Sequence, residues 1–358
     1  MSQNNVPVEY LITRYFVRYQ QLDSMIPVVF KGSKANVVNI YIDLYGIYKT
    51  IFSRTYRTDI SDYTSFTVTL INMCSHYRSY FKGIGVYANI FLISSYNVPE
   101  LSKKFIANYN KTFSDKLKNT AVKEMVELNT QLLEILCPYL PNIHFLSTKF
   151  ESTVLINKII QLEIEKGNNN PNIIISSDIY PMQLCSEYDN TVFLKPKKYQ
   201  GVDNSLITFP RDHEFHKNSF WSIICKDRDN LMSDENGITI STRNYMLLMA
   251  LNRFPERNFE AKLNIHVANR YISNIVGNEP IKLSVDMLYE SQPDLFNKVP
   301  QTQIDSRYKT LDISYQSLLF EEDIESKVLH YENLNDPDAV QMINSQYFEK
   351  NPIDLFRL

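Results

Sequence analysis

Apolar positions cluster in short β-branched runs separated by longer stretches of helical spacing. The first run, Val37–Leu44 (VVNIYIDL), is almost continuously apolar and predicts a strand buried on both faces. Gly46 follows, then helical spacing that is clearest over Thr64–Phe81. A second strand is predicted at Val86–Ile93 (VYANIFLI) and a helix over Val122–Leu136, with Leu128, Leu132, Leu133 and Leu136 as its apolar face. A third strand falls at Asn142–Leu146 and another helix at Phe150–Lys166, where Val154, Leu155, Ile159 and Leu162 form one stripe. The turn GNNNPN ends that helix, Ile173–Ser177 (IIISS) is a short apolar strand, and Thr191–Leu194 is a fifth.

Strands alternating with helices predict an α/β fold with a mostly parallel central sheet flanked by helices. In such sheets ligands bind beyond the carboxyl ends of the strands. Asp43 and Asp178 stand at two such ends, about one strand spacing apart if their strands are neighbours. After about residue 200 the pattern changes to a helical block, Thr242–Leu251 and Asn258–Val276, with an extended, turn-rich remainder. The expected organisation is a leader over 1–36, an α/β domain over 37–205, a helical and irregular C-terminal region over 206–318, and an extended interaction tail over 319–358.

Composition narrows the classes. The 358 residues are 44% hydrophobic and 22% charged, which excludes a mostly disordered chain. No run of 18 apolar residues is present, so no membrane partner is expected, and the opening residues lack the layout of a signal peptide. Cys74, Cys137, Cys185 and Cys225 are widely spaced without a CxxC, so reduced, buried thiols in a cytoplasmic protein are expected. Glycine occurs 8 times, about a third of the usual ~7%, against 24 tyrosines and 20 phenylalanines. Windows rich in Asn, Ile, Lys and Tyr point to AT-rich coding DNA, as in a phage, a virus or an AT-rich bacterium. The net charge of −3 excludes a strongly basic nucleic-acid coat but leaves room for a local basic groove.

Three acids are candidate metal ligands: Asp43, Glu151 at the start of a helix, and Asp178. Carboxylates gathered at strand ends suit phosphodiester hydrolysis, because hard oxygen donors hold Mg²⁺ and the ion activates water. Each acid also has an ordinary structural reading, Asp after a strand as a turn former or helix cap and Glu in a first turn against the helix dipole. The stretch Lys103, Lys104, Tyr109 and Lys111 is a candidate phosphate grip with interleaved aromatics, or equally a solvated helix face. Lys195, Lys197 and Lys198 read as a solvated loop, and RDHEFH (Arg211–His216) as a surface turn, since it lacks the HExxH spacing.

The order of these acids and their surroundings resembles the 5′-nuclease superfamily with the PIN/flap-endonuclease fold. IYIDLYGIYKTIFSR resembles its opening strand, metal-binding Asp and helix, and VYANIFLISSYNVPELSKKFIANYNKTF its second strand and basic arch. LLEILCPYLPNIHFLSTKFESTVLINKII resembles the helix–strand–helix of the Glu-Ala-Asp-Asp motif, and IIISSDIYPMQL the Ser-x-Asp-x-Asp-x-x-Gln-Leu block, with Asp178, Gln183 and Leu184 in register. The resemblance implies a parallel α/β sheet and an Mg²⁺- or Mn²⁺-dependent site at Asp43, Glu151 and Asp178. It also implies nucleic-acid contacts at Lys103, Lys104, Tyr109 and Lys111.

The chain departs from the pattern at several acids. Ser94 or Ser95 replaces the acid closing the second strand, Ser152, Thr153 and Val154 follow Glu151, and Tyr180 replaces the second acid of the last block. Two Mg²⁺ ions carry four charges against three carboxylates, so two-metal hydrolysis is disfavoured while a single ion remains allowed. The leading expectation is a catalytically degenerate 5′-nuclease-like protein without a cofactor. It would serve as a structural component with other protein subunits, in a phage or viral assembly, in host cytoplasm or virion. The alternatives are an active metal-dependent 5′-3′ exonuclease or flap endonuclease, and a nucleic-acid-binding module that does not cleave.

Overall fold

A computed structural model describes residues 35–45, 47–48, 61–95, 120–148, 151–176, 181–188, 190–194, 244–252, 263–276, 281–319 and 336–348. It also describes 206–207, 214–215, 240–241, 334 and 353. The five sequence-predicted strands form, as β1 (Val37–Asp43), β2 (Tyr87–Ser94), β3 (Ile143–Ser147), β4 (Asn172–Ile175) and β5 (Thr191–Leu194). They line up in the order β3-β2-β1-β4-β5, all parallel, with β6 (Leu206–Ile207) antiparallel at one edge. The chain steps one way from β1 to β3 and the other way through β4 and β5, so the order reverses between β1 and β4. That reversal is where an open parallel sheet leaves a crevice at its carboxyl edge.

Helices cover both faces. Side chains alternate across a strand, so Val38, Ile40 and Ile42 point one way, with Ile90, Leu92, Ile173, Ile175, Val192 and Leu194. They pack on α1 (Ser61–Gly83) through Phe66, Leu70 and Tyr77, and on α2 (Thr120–Leu136) through Leu133 and Leu136. In α2, the predicted Leu133 and Leu136 are buried and Leu132 packs partly against the core, but Leu128 is exposed, and Val126 and Asn129 complete the buried face. The buried stripe departs from the predicted one only at Leu128.

The opposite face carries Tyr41, Phe91, Ile93, Ile174 and Phe193 against α3 (Ser152–Glu165). The same core continues into α5 (Tyr245–Asn252), α6 (Ile265–Val276), α7 (Val285–Ser291), α8 (Gln301–Leu311) and α9 (Ile313–Leu319). A short helix, α4 (Met182–Glu187), links β4 to β5. Because α3 lies between the sheet and α9, it is buried on most sides, including Asn157, which accepts from Tyr188 Oη at 2.8 Å.

Two stretches differ from the sequence pattern. Residues expected to be extended after Val276 hold α7, α8 and α9, short helices whose cores centre on Leu288, Tyr289, Ile304 and a buried Arg307. Within 319–358 the described residues include α10 (Pro337–Tyr347), whose Val340 and Ile343 join the core of the sheet domain together with Phe348 and Ile353. Asp336 caps α10 by accepting from Asp338 and Ala339 amides, and Pro337 opens its first turn. An acidic, proline-bearing stretch that reads as a tail is here a helix start. Among the described residues no helix is long and apolar enough to cross a membrane.

Candidate functional site

The site argument starts from register. Asn39, Tyr41 and Asp43 share one face of β1, opposite Asn89, Phe91 and Ile93 of β2 and opposite Asn172 and Ile174 of β4. Three rows therefore run across the sheet. At the amino end is a row of amides, where Asn89 Nδ2 donates to Asn39 Oδ1 and Asn39 Nδ2 donates to Asn172 Oδ1, both at 3.3 Å. Asn172 Nδ2 then donates to Thr191 Oγ1 at 3.3 Å, reaching a fourth strand. In the middle, Tyr41 stacks on Phe91 at 5.1 Å and Phe91 on His144 at 4.9 Å. The third row is the carboxyl end.

There Asp43 is 2% exposed, and both its oxygens are engaged. Ser176, the residue after β4, donates its hydroxyl to Asp43 Oδ2 at 2.7 Å, and the Tyr45 amide donates to Oδ1 at 3.2 Å. The second contact closes a local turn at the start of the helical residues after β1, so Asp43 acts as a cap. Next to it, β2 ends in the buried hydroxyls Ser94 and Ser95, and β3 is followed by the buried Thr148, whose amide donates to the Ser94 carbonyl. Ser94 also hydrogen-bonds Tyr48 on the opposite side of the sheet. Tyr48 is buried, donates to Asn129 Oδ1 at 2.6 Å, and has its phenol pushed far above the ordinary range by that burial.

Glu151 sits at the N-cap of α3 with backbone φ −60° and ψ 132° and makes no side-chain cap bond. It follows β3, two strand spacings or roughly 10 Å of backbone from β1, with β2 and its two serines between. Asp43 and Glu151 thus share the carboxyl edge without adjacent strands. Asp178 lies outside the described residues, as do Lys103, Lys104, Tyr109, Lys111, Lys195, Lys197, Lys198 and Arg211–His213. The strand that leads toward Asp178 does pair directly with β1, as the neighbouring-strand expectation requires.

An Mg²⁺ or Mn²⁺ pair needs several charged oxygen donors in one place. Among the described residues no three His, Cys, Asp or Glu side chains cluster to hold a metal ion. The described part of this edge offers the locked carboxylate of Asp43, the carboxylate of Glu151 two strands away and a set of neutral hydroxyls, and these donors do not fit a two-ion centre.

Other motif residues turn out to be structural. Gln183 donates to the Leu311 carbonyl at 2.9 Å and accepts from the Ile313 amide at 3.3 Å, tying α4 to the junction of α8 and α9. Leu184 is core. Burial pushes the thiols of Cys74, Cys137 and Cys185 well up, which makes them poor nucleophiles. Sequence reasoning missed the amide row, although the signal was present: an Asn-Ile pair recurs at Asn39, Asn89 and Asn172, inside three strands, and at Asn142, the residue before β3.

No family model and no curated protein matches this chain. Among solved structures, the bacteriophage T5 D15 protein co-crystallised with metal ions is 8% identical, over 87% of this chain and 98% of that one, with a TM-score of 0.48. The catalytic core of Rad2 in complex with a DNA substrate is 13% identical over 87% of each chain, with a TM-score of 0.39. Human GEN1 in complex with Holliday junction DNA is 12% identical over 87% of this chain and 68% of its own, with a TM-score of 0.42. The chain's own strand order and register define it as a mostly parallel α/β sheet with a helical C-terminal region.

Proposed function

We propose that this chain is a catalytically degenerate 5′-nuclease-like protein that works by interaction rather than by phosphodiester hydrolysis. The observation that carries the reading is the state of Asp43. It is almost fully buried, one oxygen is held by the Ser176 hydroxyl and the other by the Tyr45 amide, and the next strand ends in Ser94 and Ser95. Each of these hydrogen bonds takes a lone pair that an ion would otherwise use, and together they are what a cap needs. The partners under this reading are other protein subunits, in a phage or viral assembly, and nucleic acid held without cleavage is the nearest alternative.

Incubating the full chain with labelled flap DNA and Mn²⁺ tests the chemistry. No products above background are expected, for the native chain and for Asp43→Asn alike. Cleavage by the native chain that disappears in Asp43→Asn or Asp178→Asn would establish the active metal-dependent nuclease instead. Size-exclusion chromatography with light scattering tests the assembly part, where a large defined complex is expected and a monomer under all conditions overturns it.

A further inference from the structure

The opposite end of the sheet holds a cavity of about 430 Å³, in the range that takes a small ligand. It lies between the last turns of α1, the start of β2 and the residue before β3. His76, Arg78 and Lys82 of α1 line it with Asn72, Tyr87 and Asn142, and no carboxylate is among the described lining residues. Tyr87, the first residue of β2, is 61% exposed, so its ring offers a free flat surface beside the cations. Lys82 in the last turn also offsets the helix dipole, and His76 and Arg78 stand one to two turns earlier on the same helix.

Burial pulls the Arg78 guanidinium down from its ordinary range. Two cationic groups and an imidazole fit the oxygens of a phosphate, and an exposed phenol ring fits the face of a base. We infer that this cavity binds a phosphorylated nucleotide unit, with Arg78, Lys82 and His76 on the phosphate and Tyr87 stacked on the base. Tyr87 and Ser94 are separated by the whole of β2, so the cavity lies roughly 20 Å from the carboxyl edge. It is independent of whether Asp43 supports any chemistry.

Titration calorimetry of the full chain with adenosine monophosphate, inorganic phosphate and a 5′-phosphorylated oligothymidylate tests this. Adenosine monophosphate is expected to bind more tightly than phosphate, and Arg78→Gln/Lys82→Gln to weaken it about tenfold or more. Tyr87→Ala is expected to remove the advantage over inorganic phosphate. Asp43→Asn is expected to leave the affinity unchanged. Binding of the oligonucleotide with the same sensitivity to these variants identifies a nucleotide within a strand as the ligand, and its absence identifies a free nucleotide. Should the double variant fail to fold, as read by circular dichroism, His76→Gln/Lys82→Gln changes only exposed side chains and is expected to weaken binding in the same direction. Failure of both ligands to bind, or affinities unmoved by every cavity variant, overturns the inference.

Discussion

The two ends of one sheet use the same register for different purposes. At the amino end the row position is an amide in three neighbouring strands: Asn89 donates into the row, and Asn39 and Asn172 each accept from one side and donate to the other. At the carboxyl end the equivalent position is Asp43 on β1, satisfied sideways by one hydroxyl and forward by one amide. An amide can pass hydrogen bonds on in both directions, whereas an ionised carboxylate only accepts. The amino end is therefore a continuous chain of bonds across four strands, and the carboxyl end is a local cap. The longer row of side-chain hydrogen bonds lies at the end away from the crevice.

The sharpest way to break this comparison is to truncate one member of each row. Asn172→Ala removes the acceptor of Asn39 Nδ2 and of the Tyr41 hydroxyl, together with the donor to Thr191. Buried groups left unsatisfied cost about 1–3 kcal/mol each, so a loss of about 2–4 kcal/mol is expected in urea denaturation. Asp43→Ala removes one cap and one hydroxyl partner and is expected to cost about 0.5–2 kcal/mol. A larger loss at Asp43 than at Asn172 would reverse the assignment of roles. A stabilisation of the native chain by Mn²⁺ that vanishes in Asp43→Asn would show that the carboxyl end binds metal after all.

The same contrast explains what the chain makes legible. The five parallel strands are readable because they are buried on both faces, which leaves continuous β-branched runs such as VVNIYID and NIII. Their lateral order is not, because it depends on which crossover each helix makes; only the recurring Asn-Ile pair marks the register. At the site, Asp43 is legible as an acid after a strand, but its role depends on Ser176, 133 residues away. The helices after Val276 are obscured because they are short and their polar residues are partly buried. Arg307 donates to the Ala250 carbonyl inside the core, a position that no period-3.6 count of apolar residues marks as interior.

Burial of phenols sharpens the comparison at its fine end. Tyr188, just before β5 at the amino end, donates to Asn157 Oδ1, and burial pushes its phenol up to about 12, opposed in part by a hydrogen bond with Gln161 and helped less by the nearby Glu187. A phenol whose proton is held more tightly in the folded chain stabilises it fully below pH ~10, the unfolded value, and that contribution is lost as pH rises toward 12. Tyr188 retains some contact with water, so screening keeps the effect under about 1 kcal/mol. The melting temperature of the native chain is expected to fall between pH 10 and 12, and Tyr188→Phe to flatten part of that slope while costing little at neutral pH. Tyr48 at the carboxyl end is fully buried and is expected to ionise only on unfolding, visible as phenolate absorbance that appears together with loss of circular dichroism. Ionisation of Tyr48 in the folded chain would mean that water reaches the carboxyl end behind Ser94, and with it that the edge is open enough to hold a hydrated ion.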